Sequence, residues 1–228
     1  MWTWSLNWSE VTPYLLVGSC PRVPGDLQRI LEHTGADAFL SIQHDRCLAR
    51  WDIDFPEMSR HANRLGVPMI RSSMRDGDPV DQRRMLPNAM AALARLCAEE
   101  QRIYVYSTRG LVRAPLTVLA YLSMVEGRTV QEAIGLIERA RPAAQPDWNV
   151  YHAFRRDLVT YHQRILAGSS SSSANLDLGE SSDDPLVSPD WGISDASVFQ
   201  EELLRLGKET AQGASPMPPF IKKALLDG

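Results

Sequence analysis

The stretch IYVYSTRGLVRAPLTVLAYL, residues 103–122, constrains this chain more than any other part of it. Ile103–Tyr106 is a strand-like run of β-branched and aromatic residues. The segment 107–112 contains Gly110 and reads as a loop, and from Arg113 onward the pattern is that of a helix, with Pro115 tolerated in its first turn. A strand that delivers a loop into a helix N-terminus gathers several backbone N–H groups at one place, where they attract an anion. Gly110 supplies the conformational freedom such a loop needs. Arg113 adds a planar fork able to hold two oxygens of one phosphate. A cysteine at the first loop position would be stabilised there as a thiolate and act as a nucleophile. The residue at that position is Ser107.

The surroundings of this stretch alternate between the two periodicities. Short strand-like runs occur at Tyr14–Val17, Ala38–Ile42 and Pro68–Arg71. Helical patterns lie between them, over Asp26–His33, Phe55–Leu65 and Asp81–Glu100. In the last of these, Leu86, Met90, Leu93 and Cys97 form one buried stripe, and Pro87 marks a start or a kink. Thr129 and Glu132 form a capping box ahead of inward-facing Val130, Ile134 and Ile137, and a further helix is expected over Asn149–Leu166. Strands alternating with helices predict an α/β sheet covered on both faces. A chain of 228 residues, 44% hydrophobic, can bury such a core in one domain, residues 1–168.

Composition excludes several functions. A formal charge of −4 without a basic run gives no electrostatic footprint for nucleic acid. No apolar run is long enough to predict a transmembrane segment. Cys20, Cys47 and Cys97 lack paired spacing, and the five histidines lack metal-ligand spacing, so neither a disulfide framework, a metal site nor a cofactor is expected. The beginning, MWTWSLNWSE, does not read as a secretory signal or a transit peptide.

Composition shifts at AGSSSSSANLDLGESSDDP, which reads as a Ser-rich, acidic linker over residues 169–192. Residues 193–228 read as a tail with one amphipathic helix. Ser197 and Gln200 cap it, Phe199, Leu203 and Leu206 form its stripe, and Gly207 can end it. Such a helix packs on its own domain or on a protein partner.

The pattern of Ser107, Gly110 and Arg113 resembles the C-x-x-G-x-x-R loop of the dual-specificity class of cysteine-dependent phosphatases. The likeness extends through LNWSEVTPYLLVGSCPRVPGDLQRI, IQHDRCLARWDIDF, SMRDGDPVDQRRMLPNAMAAL and VRAPLTVLAYL, in order, over about Leu6 to Leu166. These segments resemble the plant and algal plastid phosphoglucan phosphatases that lack a separate carbohydrate-binding module. The resemblance implies a central, mostly parallel sheet flanked by helices, a plastid location, and a phosphate or phosphoglucan ligand. It places Asp76, 31 positions before Ser107, at the general acid. It places Thr108, Arg109, Gly110, Leu111, Val112 and Arg113 in the phosphate loop, and Trp8 and Trp51 where aromatic rings stack on glucan.

Five positions depart from that pattern, and all bear on one site. Ser107 stands for the cysteine, Tyr106 for a histidine, Arg109 for a small residue, Val112 for glycine, and Gly77 for an aromatic. A serine hydroxyl without a base does not accept a phosphoryl group readily. Two readings follow: a naturally inactive phosphatase domain that binds or scaffolds, and an active phosphatase whose cysteine was exchanged for serine to trap substrate. The four accompanying departures favour the first, because trapping requires none of them.

Overall fold

The computed structural model describes residues 4–98 and 101–157. Five strands, β1 (Trp8–Thr12), β2 (Leu15–Ser19), β3 (Ala38–Gln43), β4 (Met69–Met74) and β5 (Ile103–Ser107), form one sheet in the order β1-β2-β5-β3-β4. β1 pairs antiparallel with β2, and every other pairing is parallel. The expectation of a mostly parallel sheet is met. β1 is an addition to it, because WSEVT is too short to show a clear alternation and is recruited by its hairpin with β2.

Helices α1 (Pro24–Thr34), α2 (Asp45–Arg50), α3 (Phe55–Arg64), α4 (Pro79–Ala98), α5 (Arg113–Met124) and α6 (Val130–Ala140) connect and cover the strands, and residues 148–157 are also helical. The short α2 was not apparent in the sequence; it is started by the His44 ring, which accepts a hydrogen bond from the Arg46 N–H. α4 runs unbroken through buried Pro87 rather than starting there. The proline removes one intrahelical N–H, and the helix survives because Leu86, Met90 and Leu93 are buried against the sheet side of the core. The Ser-rich linker and the helix expected at residues 197–207 lie outside the described residues.

Strand alternation divides the core in two. Leu15 and Val17 of β2 and Ile103 and Val105 of β5 face a large cluster shared with α4, α5 and α6. Leu16, Tyr104 and Tyr106 face a second cluster with Leu27, Ile30, Phe39 and Met58 from the other side. A period of two sends successive residues to opposite faces, so each strand serves both clusters. Every residue of β5 and of α5 is buried. The loop joining those two elements therefore rises from the middle of the sheet at its C-terminal edge, where the neighbours of β5 diverge into β2 on one side and β3 on the other. Open parallel sheets bind ligands at such crevices.

Candidate phosphate-binding site

Ser107 ends β5, opposite Ser19 in the register with β2, and is 2% exposed. The loop that follows is held from outside by its carbonyls. Thr108 O accepts from the Cys20 N–H at 3.4 Å, and Leu111 O accepts from the Gln145 N–H at 2.6 Å. Arg109 O and Gly110 O accept from the Arg141 guanidinium at 3.0 and 2.7 Å. In a planar trans peptide the N–H points opposite to its carbonyl. With the carbonyls of 108, 109, 110 and 111 turned toward β2 and the end of α6, the N–H groups of 109, 110, 111 and 112 point the other way. That is the arrangement an anion-binding nest requires.

Gly110 is required for two reasons. Its φ of +65° lies in the left-handed region, and a Cβ there would sit 2.2 Å from the Gly18 carbonyl oxygen. Gly18 is constrained in turn, because a Cβ on it would meet the Tyr104 hydroxyl at 2.0 Å. Two glycines thus let β2 and the loop approach closely.

Arg113 is 2% exposed at the start of α5, and its guanidinium is tied by its own chain. One terminal nitrogen donates to Met74 O at 2.9 Å and to Cys47 Sγ at 3.3 Å. The other donates to Thr108 Oγ1 at 3.2 Å, and Nε lies 3.2 Å from an Asp76 carboxylate oxygen. Gln43 Nε2 also donates to Thr108 Oγ1, at 3.3 Å, so the Thr108 side chain is fixed from two sides. The structure therefore brings together Asp76, Thr108 and Arg113 from the sequence expectation. Asp76, 62% exposed, forms an ion pair with Arg113. Gly77, with φ of +67°, makes the turn after it.

The side chains that donate to the loop are the Gln43 amide and the Arg113 and Arg141 guanidinium groups, none of which is a proton acceptor near neutral pH. Two other thiols are chemically quiet: burial pushes Cys20 up to about 11 and Cys97 up to about 12. Tyr106, at the position before Ser107, is buried among Tyr104, Leu16 and Cys20, and burial raises its pKa well above the ordinary phenol value. Among the described residues no group of histidine, cysteine and carboxylate side chains could hold a metal ion.

No protein-family model matches the sequence. Among solved structures, PTPMT1 in complex with PI(5)P superposes with a TM-score of 0.55 at 20% identity, over 71% of this chain and 98% of that one. Human DUSP28 superposes with a TM-score of 0.52 at 24% identity, over 66% and 94%. The chain has the dual-specificity phosphatase fold. Two of its curated relatives are plant phosphoglucan phosphatases. The amyloplastic phosphoglucan phosphatase DSP4 of Castanea sativa is 30% identical over 236 residues, covering 98% of this chain. The chloroplastic phosphoglucan phosphatase LSF1 of Arabidopsis thaliana is 28% identical over 142 residues, covering 62% of this chain. The chain spans 58% of the length of the first and 24% of the second.

Within this phosphatase fold the two expected aromatic positions have different settings. Trp8 lies on β1, partly buried, with its ring 6.1 Å from that of His33. Trp51 caps α2, and the Arg22 guanidinium sits 5.3 Å over its ring and 5.4 Å over that of Trp4. Arg22 also donates to Trp51 O at 3.2 Å. Cys20, just after β2, links this stack to the loop after β5: its carbonyl accepts from Trp4 Nε1 at 3.2 Å and its N–H donates to Thr108 O at 3.4 Å. Arg109 is exposed on the loop.

Sequence reading missed Arg141, Asn7, Gln43, Cys47, Trp4 and Arg22. Trp4 and Asn7 carried a weak signal, standing in the tryptophan-rich opening segment. An isolated arginine before Pro142, at a helix end, carried none beyond the helix dipole.

Proposed function

We propose that this chain is a catalytically inactive, phosphatase-like binding module of the phosphoglucan phosphatase type, with a cradle that takes a phosphate group without cleaving its ester. One observation supports this most directly: Ser107 stands at the base of a loop whose four outward-turned carbonyls keep the N–H nest intact. The loop geometry suits an anion, while position 107 carries a hydroxyl in place of an ionisable thiol. The Trp4–Arg22–Trp51 stack and Trp8 offer apolar ring area near the cradle, which suits a phosphorylated glucan. The names of the two plant relatives support that ligand class and a plastid location. Among the described residues no helix is long and apolar enough to cross a membrane. Residues 1–168 form the binding domain in this reading, and residues 193–228, beyond the linker 169–192, serve to dock on that domain or on a protein partner.

Phosphate release from phosphorylated glucan and from a small aryl phosphate tests the proposal. The protein is expected to release none above background while binding the glucan in a sedimentation assay. Ser107→Cys is expected to stay nearly inactive, since Arg113 remains tied to Asp76 and Tyr106 remains in place of the loop-ordering histidine. Turnover by the protein itself overturns the proposal. Appreciable turnover by the Ser107→Cys variant favours the second reading, a phosphatase captured with its cysteine replaced.

A further inference from the structure

Arg141 is an unusual buried cation. It caps the C-terminus of α6 and is 7% exposed, and its described partners are all neutral acceptors. Nε donates to Gly110 O at 2.7 Å, one terminal nitrogen donates to Arg109 O at 3.0 Å and to the Asn7 side-chain oxygen, and the other reaches Ser9 Oγ at 3.4 Å. Burial pulls its pKa down from the usual arginine range, yet a guanidinium keeps its proton. A buried charge among neutral dipoles is costly unless an opposite charge completes it. Asn7 is itself held by β2 and β5: its N–H donates to Ser19 Oγ at 2.9 Å, and its carbonyl accepts from Ser19 N at 2.9 Å and from Tyr104 Oη at 3.3 Å.

The peptide carbonyls that Arg141 binds belong to the same peptide units as the N–H groups of Gly110 and Leu111. A cation on the carbonyl side fixes those two units and polarises them, making their N–H groups stronger donors toward an anion on the far side. We infer that Arg141 is a positioning residue for anion binding, a clamp that joins α6 and the Asn7 segment to the back of the phosphate loop and supplies the charge that a bound phosphate dianion completes. Arg113 faces the ligand and is tied by Asp76; Arg141 never touches the ligand and acts through the loop backbone. This inference rests on the reading of the loop as an anion cradle.

The test compares the full-length protein with Arg141→Met, Arg141→Lys and Asn7→Ser. Backbone order parameters of residues 109–112 are measured by NMR, and affinity for inorganic phosphate is measured by calorimetry. The wild-type loop is expected in the rigid range, near about 0.85, and to fall well below that in Arg141→Met with near-ultraviolet circular dichroism preserved. Phosphate affinity is expected to drop roughly ten- to hundredfold, as for loss of a buried charged hydrogen-bond donor. Arg141→Lys keeps the charge and loses the fork, so it restores part of the affinity; a role limited to filling space gives no such rescue. A folded Arg141→Met protein with a wild-type loop and wild-type affinity overturns the inference. If that variant does not fold, Asn7→Ser decides, since it removes only the hydrogen bond that anchors the guanidinium to the Asn7 segment: a softened loop supports the clamp, and an unchanged loop and affinity overturn it. If the wild-type protein binds no phosphate, the cradle reading fails, and the order parameters still decide whether Arg141 clamps the loop.

Discussion

Asp76 and Arg113 show how one residue type serves opposite ends in one fold. As a general acid, a carboxyl must hold a proton and face a leaving group. Here the Asp76 side chain lies 3.2 Å from Arg113 Nε, and in the proposed binding module a phosphate would have to compete with it for that guanidinium. Because Asp76 is mostly exposed, solvent screens the pair and its worth is modest. Asp76→Asn is therefore expected to raise affinity for inorganic phosphate by roughly two- to fivefold, measured by calorimetry. In an enzyme that used Asp76 as its acid, the same substitution would be read as lost turnover; under the proposed binding function it is expected to read as gained binding. A fall in affinity would show instead that Asp76 helps to orient Arg113 toward the ligand.

Helix α6 matters to the site only through its last turn, although its stability is decided at its first. Thr129 Oγ1 accepts from the Glu132 N–H at 3.2 Å, and the Glu132 carboxylate accepts from Thr129 N at 2.9 Å and Oγ1 at 2.8 Å. Those bonds hold the Glu132 carboxyl below the usual carboxylate range. Thr129→Ala is expected to cost about 1 kcal/mol in denaturant unfolding. Phosphate affinity should be unchanged, because the opposite end of the helix carries Arg141 and is anchored by the Ile137 carbonyl and the loop. Loss of affinity in step with stability would mean that the helix transmits its fraying to the clamp. α5 needs no comparable device: all its residues are buried, and packing against the sheet and α4 holds it.

At the scale of the whole molecule, the two-sided core sets the alkaline limit. Tyr104, Tyr106 and Tyr121 are buried, and burial raises each well above the ordinary 10.0. Tyr14 is pushed up to about 12 by burial and by its hydrogen bond to Glu126. A phenol whose folded pKa exceeds its unfolded value binds its proton more tightly when folded. The stability it contributes is complete below the unfolded pKa and is lost as pH rises toward and through the folded one. The unfolding temperature is thus expected to hold steady up to about pH 9 and to fall steeply above about pH 10, with phenolate absorbance from the buried tyrosines appearing only together with unfolding. Gradual ionisation in a folded protein would show that these hydroxyls reach solvent. Tyr104 ties this limit to the site, since its hydroxyl donates to Ser19 O at 2.9 Å and lies where any Gly18 side chain would be.

Much of this molecule is written along the chain. The run Ile103–Tyr106, the glycine at 110, the arginine at 113, the Thr129–Glu132 box and the stripe of Leu86, Met90, Leu93 and Cys97 are local patterns, and each produced the element expected of it, although Cys97 is only partly buried. Locality explains that success, because a turn, a cap and an amphipathic face are decided by residues a few positions apart. Asp76 and Arg113 could be placed from the order of motifs, although their ion pair could not. Tertiary structure alone decided that Asn7, Gly18, Gly110 and Arg141 meet, since the strand order β1-β2-β5-β3-β4 sets distant segments side by side. It also decided that Cys47 lies on Arg113 and that Arg22 sits between two tryptophans. No periodicity in a sequence reports such contacts, because they depend on how sheet and helices close around one another, and that closure is what turns four backbone N–H groups to one side of the loop.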